Sequence, residues 1–159
     1  MILLIAQSMM VLALGLWLSL GLYDNLRHSH VNGDFVREVL TLARLKDEFP
    51  ELYAVYAARA VHDERALRWL FRLILGAEAV AVVLLWAGFL SLFLALVGAL
   101  APGTAQEIAT LGALAFTLVW SGFLIGGNYW CYWMCHEGAQ NTHFQMTLWG
   151  LGVMILLSV

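Results

Sequence analysis

Charged residues are scarce in this sequence, as are prolines and cysteines. Only 12% of its 159 residues are charged, two are prolines, two are cysteines, and the formal net charge is −3. Soluble domains carry charge on about a quarter of their residues, so the composition excludes an ordinary soluble or disordered chain. Two cysteines also exclude a disulfide scaffold. Because no basic block is free of nearby acids, the sequence argues against nucleic-acid binding.

Long apolar stretches fill most of the chain instead. Hydrophobic residues make up 62% of it, and the mean hydropathy is +0.81. A helix needs about 20 mostly apolar residues to cross the hydrocarbon core of a bilayer. Four stretches qualify, at about residues 2–23, 71–100, 107–127 and 142–159, of which the last is the shortest. The sequence therefore predicts an all-α membrane protein, with residues 1–159 forming a single integral membrane domain built as a four-transmembrane-helix bundle.

The hydrophilic loop between the first two spans, at about residues 24–70, holds nearly all of the charge. All eight basic residues lie between Arg27 and Arg72. Lysine and arginine favour cytoplasmic loops, so we expect this loop inside a bacterial cytoplasmic (inner) membrane and both termini in the periplasm. Apolar residues recur at helical spacing after the predicted turn Asn32-Gly33-Asp34 and after Pro50, which predicts short amphipathic helices. Such helices lie on the membrane interface, pack on the bundle ends or dock a partner.

The connection between the third and fourth predicted spans is rich in aromatic, thiol and imidazole side chains. Cys131 and Cys135 are four residues apart and would share a helix face, and His136 and His143 follow them. Thiolate and imidazole ligands suit zinc or copper(I), so these four residues are candidate metal ligands. The spacing differs from that of zinc fingers, and an apolar setting disfavours the thiolate, so buried or interfacial free thiols are the alternative. The neighbouring aromatic residues are typical of an interfacial belt.

Glu78 is the only ionisable side chain well inside an apolar span. A carboxylate at that depth normally faces protein or water. Its role stays open between structural pairing with a polar group such as Asn128 or a loop arginine, protonation, and a part in a proton or quinone path. A transmembrane haem needs two histidines at matching depth on facing helices, and the span interiors contain none.

Five short motifs follow one another in a recognisable order. They are Phe35-Val36-Arg37-Glu38-Val39-Leu40, Phe49-Pro50, Glu78, Gly122-Phe123 running to Gly126-Gly127, and Gln140-Asn141-Thr142-His143-Phe144. This order resembles the DUF2165 family of predicted small integral membrane proteins over roughly residues 16–149. The resemblance implies four spans and a membrane location, with no established activity. The chain departs from the family at Asn128, where members carry an acid, and in residues 134–140, which weakens metal binding as a function of the family.

Three functions are compatible with these features. The first is an accessory, structural subunit of a bacterial inner-membrane complex, such as a respiratory or other redox assembly, without catalytic activity of its own. Its partners would be the lipid bilayer and other integral membrane subunits, and the small-residue step from Gly122 to Gly126 suits close helix packing. The second is a small proton-coupled transporter acting through Glu78. The third is a membrane redox protein that binds a metal or a quinone with Cys131, Cys135, His136 and His143.

Overall fold

The computed structural model describes residues 1–159 and consists of helices and their connections, without a β-strand. A short 3-10 helix, Ala57–Arg59, precedes the longest helix. The α-helices are α1 (Ile2–Arg27), α2 (Ser29–Leu40), α3 (Ala43–Glu48), α4 (Pro50–Tyr56), α5 (Glu64–Leu96), α6 (Pro102–Tyr129), α7 (Tyr132–Cys135) and α8 (Glu137–Leu157).

Three of these helices, α1, α5 and α6, are long and apolar enough to cross a membrane. The structure therefore has three candidate membrane spans, not the four predicted from the sequence. Helix α8 has 21 residues, but polar side chains interrupt its first turns. Its mainly apolar part, residues 146–157, covers about 18 Å at 1.5 Å per residue, which is less than the roughly 30 Å of the hydrocarbon core.

The four longest helices pack side by side around one apolar core. Helices α5 and α6 are neighbours, α8 packs on another side of α6, and α1 lies mainly against α5. The turn between α5 and α6 includes Gly98, whose φ of +77° is a conformation that glycine adopts without strain. All four helices contribute fully buried side chains to the core, among them Val11, Leu85, Phe116 and Val153.

Helices α5 and α6 approach closely at one glycine on each helix. A Cβ atom added at Gly88 would lie 2.7 Å from the Cα atom of Ala109, and one at Gly112 would lie 2.9 Å from the Cα atom of Leu85. The small-residue step predicted to serve close packing is elsewhere on α6. An added Cβ atom at Gly122 would have no neighbouring atom within 4 Å. Close approach in this bundle therefore depends on Gly88 and Gly112.

The loop between α1 and α5 contains three short helices. Helix α4 begins at Pro50, where the sequence predicts a helix start. The turn predicted at Asn32-Gly33-Asp34 is wrong, because α2 begins at Ser29 and continues through these residues. Gly33 faces the ring of Phe71 on α5. This segment therefore packs against α5 as a helix, although its local sequence favours a turn.

Candidate functional site

A cavity of about 480 Å³ lies at the end of the bundle where the loop helices sit. Its walls come from residues 70–78 of α5, residues 118–127 of α6 and residues 32–40 of α2. Asn25 of α1, Trp130, Tyr132 and His143 complete the lining. Small-molecule sites in proteins have volumes of about 300–1,000 Å³ and mostly apolar walls. The size and lining of this cavity are therefore those of a small-molecule site.

Glycines of α6 form part of the cavity wall, and the position of Gly122 is open, because a Cβ atom added there would meet nothing within 4 Å. Gly122, Gly126 and Gly127 all line the cavity. At its rim, Leu73 on α5 is 69% exposed and Leu118 on α6 is 60% exposed. Since both helices are long and apolar enough to span a membrane, the cavity opens sideways onto an apolar surface of the bundle.

Glu78 is the carboxylate in this cavity, and its neighbours are amides. It is only 4% exposed, and its Oε2 atom accepts a hydrogen bond of 2.8 Å from Nδ2 of Asn25 on α1. Asn25 in turn accepts a hydrogen bond from Asn32 on α2. No other hydrogen bond reaches the carboxylate, so its Oε1 atom has no protein partner. Glu78 is therefore a buried acid that the protein satisfies on one side only.

The partners proposed for Glu78 from the sequence are not the ones that it has. Asn128 is exposed at the end of α6, and Asn25 takes the place predicted for it. The loop arginines that form ion pairs do so with other acids, Arg37 with Glu64 and Arg44 with Glu48. The carboxylate of Glu78 consequently has no cationic partner.

Aromatic rings form a continuous wall around one part of the cavity. The imidazole ring of His143 stacks on Phe123 at 4.8 Å between ring centroids and on Tyr132 at 5.9 Å, and Trp120 lies 5.4 Å away. Three polar atoms in this wall are buried without a hydrogen-bond partner: Nε1 of Trp120, the hydroxyl of Tyr132 and Nδ1 of His143. Buried polar groups usually have a hydrogen-bond partner, so three unpaired polar atoms in one wall are an exception.

The two cysteines lie in a separate buried cluster. Cys131 and Cys135 pack with Leu42 and Leu45 of the loop. Leu42 and Cys131 both have left-handed backbones, with φ of 56° and 57°, at an expected cost of about 1–2 kcal/mol each. Burial raises the pKa of the Cys135 thiol, which keeps it protonated at neutral pH and disfavours metal ligation.

The histidines predicted to join the cysteines are divided between two environments. His136 lies between the loop and α7, with Nε2 at 3.7 Å from Oε1 of Glu38 and its ring 5.1 Å from that of Phe35, whereas His143 lies in the cavity wall. Burial lowers the pKa of His136 more than Glu38 raises it. No group of three or more His, Cys, Asp or Glu side chains has a metal-binding arrangement. Binding of zinc or copper by these residues stays a prediction, which elemental analysis of the purified protein tests.

Sequence reasoning missed Asn25, Asn32, Trp120 and Tyr132 as cavity residues. One of them carried a usable signal. Asn25 lies seven residues after Leu18, so it falls on the buried face of α1 that also includes Val11 and Leu14. A polar residue at that register position is a candidate partner for a polar group on a facing helix. The other three face the cavity because of packing between elements distant in sequence.

Long apolar helices with a polar loop region at one end define an all-helical integral membrane protein. A family model described as a predicted small integral membrane protein (DUF2165) matches residues 3–159. The chain belongs to this family, which confirms the resemblance over nearly the whole sequence. No curated protein and no solved structure matches it.

Proposed function

We propose that this protein binds small lipid-soluble molecules in the Glu78 cavity and acts as a small proton-coupled carrier. The observation that carries the proposal is a buried carboxylate, without a cationic partner, in the wall of a cavity that opens on an apolar surface. Ionisable residues inside membrane segments are costly and usually belong to substrate or proton pathways. Exchange of a proton on Glu78 against a bound molecule would couple the two.

The proposal includes a membrane arrangement that goes beyond the three candidate spans. In it, α8 crosses the membrane as a fourth helix beside α6, since its 21 residues extend about 32 Å at 1.5 Å per residue when the polar first turns at the loop end of the bundle are included. Support comes from Gln7 near the other end, which is fully buried and donates a hydrogen bond of 2.8 Å to the carbonyl of Leu156. The loop and the α6–α8 connection would lie on the cytoplasmic side of a bacterial inner membrane, and the termini in the periplasm.

Filling the cavity tests the proposed function. The variant Gly122→Phe places a ring where an added Cβ atom meets nothing within 4 Å, and Gly21→Phe on α1 meets the same condition away from the cavity. Protein would be purified from native membranes in mild detergent, and the retained small molecules identified by mass spectrometry. We expect the unchanged protein and Gly21→Phe to retain a molecule that Gly122→Phe loses. Equal retention by all three proteins would contradict the proposal.

An accessory subunit of an inner-membrane complex is a second candidate, supported by the apolar surface of the loop. Phe49, Leu52 and Val55 recur at three-residue spacing around α4 and are 38%, 37% and 72% exposed. Such a face suits either the membrane interface or another subunit. Val55→Asp should then release other integral membrane subunits from the gently solubilised protein, and isolation only as a lone monomer would refute this candidate.

A quinone is the remaining alternative. If it bound in the Glu78 cavity, it would do so without Cys131 and Cys135, which do not line that cavity.

A further inference from the structure

The cavity is lined by an acidic side chain but by no lysine or arginine. Glu78 is the only acid among the residues that line it. The amide of Asn25 gives the carboxylate one hydrogen bond but no opposite charge. A buried carboxylate is stabilised either by a proton or by a nearby cation. The protein supplies no cation here, so a positively charged ligand would supply the missing partner.

The aromatic lining also lacks a cation. Ring faces of tryptophan, tyrosine and phenylalanine attract cations within about 6 Å. Elsewhere the chain pairs such rings with its own cations, as where the Arg59 guanidinium lies 4.6 Å from the ring centroid of Tyr56 and 4.9 Å from that of Tyr129. In the cavity, Trp120, Phe123 and Tyr132 have no lysine or arginine over them, and the ring that stacks on Phe123 and Tyr132 is the imidazole of His143.

The cavity does not suit a metal ion. Hard metal cations take six or more oxygen ligands, and the structure has no group of three or more candidate ligands in a metal-binding arrangement. A volume of about 480 Å³ with mostly apolar walls suits a larger molecule with an apolar surface. Leu73 and Leu118 line the cavity and are exposed, so such a molecule would reach the cavity from the lipid at this apolar surface.

From charge, aromatic lining and volume together, we infer that the Glu78 cavity binds a lipophilic organic cation. This inference rests on the proposed function and names the class of molecule that the cavity accepts. The competing class is a neutral molecule that occupies the same cavity. A cation depends on the negative charge of Glu78, whereas a neutral molecule depends only on hydrogen bonds and apolar contact.

Two probes of the same shape and opposite charge distinguish these classes. Tetraphenylphosphonium is a lipophilic cation, and tetraphenylborate is its anionic counterpart. Binding of each would be measured by equilibrium dialysis against the full chain in lipid nanodiscs, with empty nanodiscs as the blank. We expect saturable binding of the cation at one site per chain and no saturable binding of the anion.

Variants of Glu78 then locate the site. Glu78→Gln keeps an acceptor for Asn25 but removes the charge, and it should weaken binding of tetraphenylphosphonium by about tenfold or more. Glu78→Asp keeps the charge and should retain binding. Glu107→Gln is the matched control, because it removes an exposed carboxylate near the start of α6, outside the cavity. Size-exclusion profiles and thermal unfolding establish that each variant is folded.

Three results would overturn the inference. They are the absence of saturable binding of the cation, equal binding of cation and anion, and unchanged binding of the cation by a folded Glu78→Gln variant. Binding of decylubiquinone that Glu78→Gln leaves intact would assign the cavity to the neutral class instead. The proposed function has its own test in the molecules retained by Gly122→Phe, so the cation assignment can fail while that function stands.

Discussion

Trp130 donates its indole N–H to the main-chain carbonyl of Arg59 at 2.8 Å, across 71 positions of sequence. The guanidinium of Arg59 donates in return to the carbonyl of Tyr129 at 2.9 Å. This reciprocal pair holds the end of the long loop against the end of α6. Because Trp130 also lines the cavity, the contact links the position of the loop to the shape of the candidate site.

Removing the indole N–H should loosen this attachment. Trp130→Phe leaves the carbonyl of Arg59 without its partner, at a cost of about 1–3 kcal/mol. We expect faster amide hydrogen exchange in residues 57–63, measured by mass spectrometry on the protein in nanodiscs. Trp133→Phe is the matched control, because Trp133 is 43% exposed and its side chain makes no hydrogen bond. Equal exchange in the two variants would show that the contact does not hold the loop.

A second prediction concerns the close crossing of α5 and α6. In Gly112→Ala the new methyl group would lie 2.8 Å from the carbonyl oxygen of Leu84, so the helices must move apart. We expect a loss of about 1–3 kcal/mol, seen as a lower unfolding temperature in detergent. Gly76→Ala on α5 meets no atom within 4 Å and should be neutral or stabilising by up to about 1 kcal/mol. A similar loss in both variants would contradict the close crossing.

Acidification should destabilise the folded protein through His136. Burial lowers the pKa of His136 below its ordinary 6.5, so the folded state favours the neutral imidazole. Above pH 6.5 the residue is neutral in both states and carries no penalty. As the pH falls below 6.5, the unfolded chain takes up a proton before the folded one, and stability decreases until the folded pKa is passed.

The pH dependence of the unfolding temperature between about pH 8 and pH 5 measures this effect. His136→Gln should show a smaller decrease on acidification than the unchanged protein. His62→Gln, at an exposed position of the loop, should behave like the unchanged protein. An unaltered slope in His136→Gln would assign the pH dependence to other groups.

The proposed membrane arrangement predicts which residues share a side. Single cysteines would replace Arg44, Trp133 or Gly103 in a chain whose two natural cysteines are changed to alanine. We expect a membrane-impermeant maleimide to reach positions 44 and 133 from one side and position 103 from the other. Labelling of positions 44 and 133 from opposite sides would refute the arrangement.

Local patterns were sufficient for the long elements of this protein. Apolar runs of span length predict α1, α5 and α6, because the cost of exposing backbone polar groups to lipid makes such runs helical. The position of Glu78 in an apolar run likewise identifies it as a carboxylate within a span, whereas its burial and its partner come from the structure. The same reasoning predicts a full span at α8, whose first turns are polar. It also predicts a turn at an Asn-Gly pair that lies within α2.

By itself, the sequence determined that this chain is helical, belongs in a membrane and holds one carboxylate within an apolar span. Only the tertiary structure decided that Asn25 is the partner of Glu78, that Gly88 and Gly112 form the close crossing while Gly122 lines a cavity, and that the cysteines are separated from His143. The physical reason is that helix formation depends on residues a few positions apart. Pairing and cavities depend instead on the register and separation of helices distant in sequence.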